Sequence, residues 1–115
     1  HGGRLNQMGK SVEKFASQHG LTIVRNVGGH GVGRSLHEEP GFIANFFDAR
    51  DKRAFKENSV VAIEPIVSTG AQFLQEAADG WSLYHPKFLT AQSEHTVMVT
   101  NSKPFIFTKP TVDVA

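Results

Sequence analysis

Residues 28–40 have the sequence Gly-Gly-His-Gly-Val-Gly-Arg-Ser-Leu-His-Glu-Glu-Pro, in which two histidines and two glutamates stand among four glycines. Glycine tolerates positive φ and lets another backbone or a ligand come close. We therefore predict a loop that presents His30, rather than a helix or a regular strand. On this stretch alone, a loop carrying two surface histidines, His30 and His37, is an equally good interpretation.

The spacing within this stretch excludes two known motifs. A dinucleotide-binding motif would need a third glycine where Leu36 stands. A helical zinc-protease motif would need its second histidine at Gly41, and Pro40 would break that helix.

Two later segments add carboxylates to apolar strands. Residues 60–67, Val-Val-Ala-Ile-Glu-Pro-Ile-Val, predict a buried strand with Glu64 in its middle, and a second predicted strand begins with Glu94. A carboxylate in apolar surroundings is costly unless it is paired or bound to a metal. With the imidazole of His30, these acids form a nitrogen and oxygen ligand set that suits Mn, Fe, Co or Zn. The alternatives are a turn histidine, an acid paired with a cation such as Arg34, and a surface acid.

Composition sets the bounds of the chain. It has 115 residues, a formal net charge of +1 and no cysteine. The length suits one domain, which buries roughly 65% of the surface of its unfolded chain. The small charge gives no reason to expect nucleic acid or a membrane surface as partner, and no apolar run approaches the ~20 residues of a membrane span. The lack of cysteine excludes disulfides and thiolate sites, and we expect a cytoplasmic protein.

The remaining elements follow from periodicity and turn residues. Residues 5–19 predict an amphipathic helix, capped by Asn6 and ended by Gly20. Asp79-Gly80 predicts a hairpin turn, and residues 104–108 a final strand. The apolar stripe of the helix, which we expect in the core, consists of Met8, Val12, Phe15 and Ala16.

The order of these motifs resembles one family. His30, then His37-Glu38-Glu39-Pro40, Glu64-Pro65 and Glu94-His95-Thr96 resemble the methionine aminopeptidases of the pita-bread metallopeptidase superfamily, most closely the bacterial type I members. The resemblance extends from about Arg4 to Thr100. Prolidases and proline-specific aminopeptidases share the glycine-histidine loop and the Glu-Pro strand, but there aspartate typically follows the last acid. A proline-directed peptidase and a non-catalytic binding homologue of the same fold remain the alternatives.

The resemblance implies an α+β fold, the C-terminal half of the pita-bread fold, with an antiparallel sheet covered by helix. Residues 1–115 would be the C-terminal portion of a single catalytic domain whose N-terminal half is absent. In this family that first half supplies two aspartate ligands. None of the aspartates present stands in the family's strand context: Asp48, Asp51, Asp79 and Asp113. The metal site would therefore be incomplete within these residues.

The resemblance also assigns roles to the candidate residues. Two divalent metal ions (Co, Mn, Fe or Zn) would be bound, with His30 as a terminal ligand and Glu94 bridging both. Glu64 would bind one metal and move a proton during catalysis. His37 would not be a ligand and would donate a hydrogen bond to the scissile carbonyl.

The implied reaction is metal-dependent removal of the N-terminal methionine from nascent proteins. Trp81 and Leu36 stand where the family forms the pocket for the methionine side chain. We expect the 115 residues alone to be inactive and to leave an apolar sheet face uncovered. Its candidates are the strand residues within 60–67, 97–99 and 105–107, and the missing N-terminal half would be the natural partner of this face.

Overall fold

A computed structural model describes residues 2–110, so the end of the chain, including Asp113, lies outside the described residues. Within them the chain forms one helix and ten strands, and every strand pair is antiparallel. The predicted mixture of a helix with antiparallel sheet is confirmed. The elements are α1 (Leu5–Gln18), β1 (Thr22–Ile23), β2 (Gly29–Val32), β3 (Glu38–Ile43), β4 (Val60–Ile63), β5 (Ile66–Ser68), β6 (Gln75–Glu76), β7 (Leu83–Tyr84), β8 (Thr90–Gln92), β9 (His95–Met98) and β10 (Phe105–Ile106).

The strands of the described region form three sheets. The largest has the order β10-β9-β4-β2-β3, a second has the order β1-β5-β8, and β6 pairs with β7 alone. Strand β4 pairs with β9 in the large sheet, while their chain neighbours β5 and β8 pair in the second sheet. Two adjacent segments therefore cross together from one sheet to the other, and we call this crossing the seam.

The seam corrects one expectation. Residues 60–67 are not one strand, because the chain leaves the large sheet after Ile63 and enters the second sheet at Ile66. Pro65 has no backbone N–H to donate to a ladder, which favours a break at this position. On the opposite segment β9 begins at His95, so Glu94 precedes the strand.

The glycine-rich stretch is also more regular than predicted. Gly29–Val32 is a strand, and the glycines with positive φ lie elsewhere, at residues 2, 20 and 80. A Cβ atom on Gly29 would overlap the carbonyl oxygen of Ala62, and one on Gly31 would overlap that of Glu39. Glycine is needed here because β3 and β4 approach β2 closely, and not because the backbone must turn.

The helix agrees with the prediction in extent but differs in detail. It ends just before Gly20, which adopts φ +70° as a stop signal should. Asn6 is buried and does not cap the helix; its amide donates to the carbonyl oxygens of Asp48 and Asp51. Phe15 is 66% exposed, so the predicted apolar stripe is only partly core. The buried positions of the helix are Leu5, Asn6, Gly9 and Ala16.

Part of the large sheet carries an apolar groove of about 440 Å³. The groove includes residues from each of the three segments expected to be uncovered, namely Val61, Ile63, Val97, Val99 and Ile106. Nearby, Phe105 and Phe107 are exposed and contact each other edge to face with centroids 5.1 Å apart.

The hairpin around Asp79-Gly80 is confirmed, although its strands β6 and β7 have only two residues each. Trp81 consequently lies in the turn and not in a strand. Among the described residues, no helix is long and apolar enough to cross a membrane.

We predict that Gly29→Ala or Gly31→Ala lowers the free energy of unfolding by about 1–3 kcal/mol, the usual cost of forcing extra atoms into a packed interior. Chemical denaturation followed by circular dichroism measures the change. Gly3→Ala is the matched control, because a Cβ there meets nothing within 4 Å. Equal stability of all three variants would show that the strands do not approach as described.

Candidate metal centre

Three predicted ligands come together in the folded chain. Ligand atoms of His30, Glu64 and Glu94 all lie within 4.8 Å of one another. His30 is buried, Glu64 is half-buried and Glu94 is exposed, so the cluster opens to solvent on the side of Glu94. The structure thus brings together residues that are far apart in sequence.

Strand register explains why these three side chains meet. His30 on β2 lies opposite Ala62 on β4, close to the end of that strand. Glu64 follows β4 immediately, on the segment that crosses the seam. Glu94 lies on the neighbouring crossing segment, between the pairs Ile63–His95 and Ile66–Gln92. The cluster therefore forms where the large sheet ends.

The imidazole of His30 has one nitrogen already committed. Nδ1 lies 2.8 Å from the carbonyl oxygen of Gly31. A carbonyl oxygen can only accept, so Nδ1 carries the proton and Nε2 keeps a free lone pair. This contact also fixes the ring orientation, as is usual for histidines that bind metals.

In the part of the chain that the structure describes, neither carboxylate of the cluster forms an ion pair with a lysine or an arginine. Within residues 2–110 the ion pairs join Arg25 to Glu13, Arg50 to Asp48 and Arg53 to Asp51. The proposed alternative, a pair between Arg34 and Glu64, is not formed in that region. Burial, and next the charge of Glu94 nearby, raise the pKa of Glu64 above its ordinary value. Both causes disfavour a second negative charge in the cluster.

The donor set fits a divalent metal ion. One imidazole nitrogen and two carboxylate oxygens, without thiolate, are ligands suited to Mn, Fe, Co or Zn. A cation between the carboxylates would remove the repulsion that raises the pKa of Glu64. The number and identity of the ions are not fixed by these three residues.

His37 lies next to the cluster but outside the ligand set. Its ring is 4.1 Å from that of His30, centroid to centroid, with the planes tilted by 42°. The side chain is exposed and precedes β3 directly. It therefore lies beside the candidate metal ligands, and its role as a hydrogen-bond donor stays a prediction.

Sequence reasoning overlooked the residue that holds the turn before His37. The carboxylate of Glu38 accepts a hydrogen bond of 2.9 Å from the backbone N–H of Ser35. A Cβ atom on Gly33 would overlap the same carboxylate. The signal available in the sequence was a serine followed three residues later by a glutamate, a spacing typical of local capping contacts.

The two residues predicted to form the methionine pocket, Trp81 and Leu36, are both exposed. Trp81 is 88% exposed and lines a cavity of about 540 Å³, together with Ile66, Leu74, Ser82, Leu83, Thr90, Ala91 and Gln92. Leu36 is 71% exposed and is not among its lining residues. The contact of Trp81 and Leu36 with a methionine side chain stays a prediction.

Comparison with known proteins identifies the family to which this chain belongs. The sequence profile of metallopeptidase family M24 matches residues 1–101. The chain therefore belongs to metallopeptidase family M24.

Similar proteins within the family are methionine aminopeptidases. The chain is 45% identical over 109 residues to methionine aminopeptidase 2 of Bacillus subtilis, covering 94% of this chain and 44% of that protein. It is 35% identical over 100 residues to the Escherichia coli K12 methionine aminopeptidase, covering 85% and 37% respectively. The crystal structure of the Thermotoga maritima methionine aminopeptidase superposes with a TM-score of 0.86 at 32% identity, over 95% of this chain and 44% of that one.

These similarities confirm the resemblance and the fold found in methionine aminopeptidases. They also show that the chain spans less than half the length of these relatives.

We predict that Mn²⁺ or Co²⁺ raises the thermal midpoint of the chain, because an ion bound only by the folded state stabilises it. At a concentration one hundred times the Kd, the gain is about 2.7 kcal/mol. Thermal scans with and without metal measure the effect. His30→Ala, Glu64→Gln and Glu94→Gln should each remove most of it, whereas Glu57→Gln, an exposed acid of the turn before β4, should keep it. If metal raised the thermal midpoint of the three variants as much as that of wild type, the proposed metal site would be contradicted.

Proposed function

We propose that this chain is the C-terminal, metal-ligating half of a methionyl aminopeptidase, which removes the N-terminal methionine from nascent proteins in the cytoplasm. The observation that carries the proposal is the convergence of His30, Glu64 and Glu94, with His37 stacked against His30. The similarity to methionine aminopeptidases supports the reaction class.

In this proposal His30 through Nε2, Glu64 and Glu94 supply three of the ligands of two divalent ions. Two aspartates from the other half of the enzyme would supply the rest. Bound divalent ions lower the pKa of a water molecule toward neutral and polarise the peptide carbonyl.

Glu64 is the proton carrier of the proposed reaction. Its carboxylate is half-buried and lies within 4.8 Å of ligand atoms of His30 and Glu94. A glutamate at this position can accept a proton and release it again, as general acid–base catalysis requires. It would take the proton of the attacking water and deliver it to the leaving nitrogen.

His37 stabilises the charge that develops on the carbonyl oxygen. Its ring is exposed beside the ligand cluster and is held there by contact with His30. A donor at this position acts on the tetrahedral oxyanion more strongly than on the ground-state carbonyl, which lowers the barrier.

The substrate is proposed to be a peptide or nascent-protein N-terminus, with Trp81 and Leu36 contacting the methionine side chain. For Trp81, the cavity that it lines together with Ile66, Leu74 and Leu83 supports this assignment. The rival activity, cleavage before proline, is less well supported because His95-Thr96 follows Glu94. Parallel assays with Met-Ala and Xaa-Pro peptides distinguish the two activities, and faster cleavage of the Xaa-Pro peptide would contradict the proposal.

We predict that His37→Ala in the complete enzyme slows turnover by about 10²–10³, the usual effect of removing one oxyanion donor, while metal content stays near the wild-type level. Steady-state kinetics and metal analysis measure the two quantities. His19→Ala is the control, because this exposed histidine at the end of α1 contacts Phe15 and not the cluster. Loss of metal comparable to that in His30→Ala would instead identify His37 as a ligand.

The 115 residues alone should release no methionine, because three ligands do not complete a dinuclear site. We also expect self-association through the apolar groove of the large sheet, since an uncovered apolar face tends to find a partner. Sedimentation gives the mass in solution, and peptide assays are run with and without the remainder of the enzyme. Activity of the chain alone, as a monomer, would contradict the division of ligands between two halves.

A further inference from the structure

The tip of the β6–β7 hairpin presents Trp81 to solvent although little backbone pairing supports it. The two strands contribute two residue pairs, Gln75–Tyr84 and Glu76–Leu83, and form a sheet of their own. A short isolated hairpin is at best marginally stable in water. Side-chain contacts within the turn can therefore add to its order.

The carboxylate of Asp79 makes such contacts. Its Oδ1 accepts from the backbone N–H of Trp81 at 2.9 Å and from that of Ser82 at 2.8 Å. Its Oδ2 accepts from the hydroxyl of Ser82 at 2.6 Å. These hydrogen bonds favour the ionised form and lower the pKa of Asp79 to about 2, so the carboxylate is charged at neutral pH.

The turn that Asp79 closes is also fixed by its backbone. Gly80 adopts φ +71°, and its N–H donates to the carbonyl oxygen of Ala77 at 3.0 Å. The N–H of Ala77 in turn donates to the carbonyl oxygen of Ser82 at 2.8 Å. The backbone bonds close the loop, and the carboxylate contacts the N–H of Trp81 directly.

The cavity behind Trp81 adjoins the metal-ligand cluster. Two of its lining residues are close in sequence to candidate ligands. Ile66 is two residues after Glu64, and Gln92 is two residues before Glu94. The indole contributes one wall of this cavity. Movement of the hairpin tip would therefore change the shape of a cavity next to the cluster.

We propose that Asp79 is a positioning residue: its carboxylate fixes the hairpin tip so that Trp81 forms a rigid wall of the cavity beside the metal ligands. This inference deepens the proposed function, on which it rests for the nature of the bound side chain. Asp79 itself contacts no reacting atom. Its effect is on the binding of a large apolar side chain and not on the chemical step.

Trp81 is the only tryptophan of the chain, so its fluorescence reports directly on the tip. In the 115-residue chain, Asp79→Ala should lower the steady-state anisotropy of the tryptophan and increase its quenching by acrylamide. Asp79→Asn should stay close to wild type, because the amide oxygen can still accept from both N–H groups and the amide nitrogen can donate to the hydroxyl oxygen of Ser82. Ser82→Ala removes only the hydroxyl contact, so its anisotropy and acrylamide quenching should lie between those of Asp79→Ala and those of Asp79→Asn. Asp48→Ala is the matched control, since Asp48 accepts from the N–H of Arg50 in a similar local contact away from the hairpin.

In the complete enzyme, Asp79→Ala should raise the KM for a peptide beginning with methionine by roughly threefold to tenfold, the range expected when hydrogen bonds that hold one conformation are lost. The kcat should stay within about twofold of wild type, because the group acts only on binding. Asp79→Asn should restore the KM.

Tryptophan signals of Asp79→Ala that equal those of wild type would overturn the proposal, and so would a fall in kcat with an unchanged KM. If the tip responds as expected but the complete wild-type enzyme releases no methionine, the positioning role of Asp79 stands and the proposed function fails. If Asp79→Ala does not fold, Ser82→Ala decides: tip mobility equal to wild type in that variant overturns the proposal.

Discussion

Two carboxylates of like charge, those of Glu64 and Glu94, are held side by side where the chain crosses between two sheets. Their repulsion opposes the fold, and burial of Glu64 adds to it. No cationic side chain relieves this pair among the described ion pairs. A divalent cation bound between them would relieve this repulsion, and the geometry of the seam determines where it would sit.

The seam depends on two segments changing sheet at the same level. On one crossing segment, Pro65 interrupts the ladder. On the other crossing segment, the backbone N–H of Ser93 donates a hydrogen bond of 3.4 Å to the carbonyl oxygen of Pro65. This bond keeps the crossing segments in register although neither Glu64 nor Glu94 belongs to a strand. Close packing of β2 against β4, which the glycines permit, then brings the ring of His30 to the same place.

The chemistry of the site was predictable from sequence, but its geometry was not. Glu64 is conspicuous because an acid within an apolar run is costly wherever the run folds. The convergence with His30 depends on the register between β2 and β4, which no local pattern specifies. The glycines were misinterpreted because positive φ and close approach both select glycine, and only the neighbouring carbonyl oxygens distinguish the two reasons. In the helix, periodicity indicated an apolar stripe through Phe15, whereas contact between Gly9 and Phe46 sets the packed face.

The sheet order β10-β9-β4-β2-β3 has a consequence for how the chain folds. Strand β4 lies between β2 and β9, each of which is separated from it by a long stretch of chain, so these ladders require the closure of large loops. We expect these ladders to form late, and the three candidate ligands lie on or beside them. We therefore do not expect a metal ion to nucleate folding by gathering nearby residues, as it does in small metal-dependent domains. An ion would instead capture chains in which the central strands have already paired, and its availability would govern how long such chains persist rather than how fast they arise.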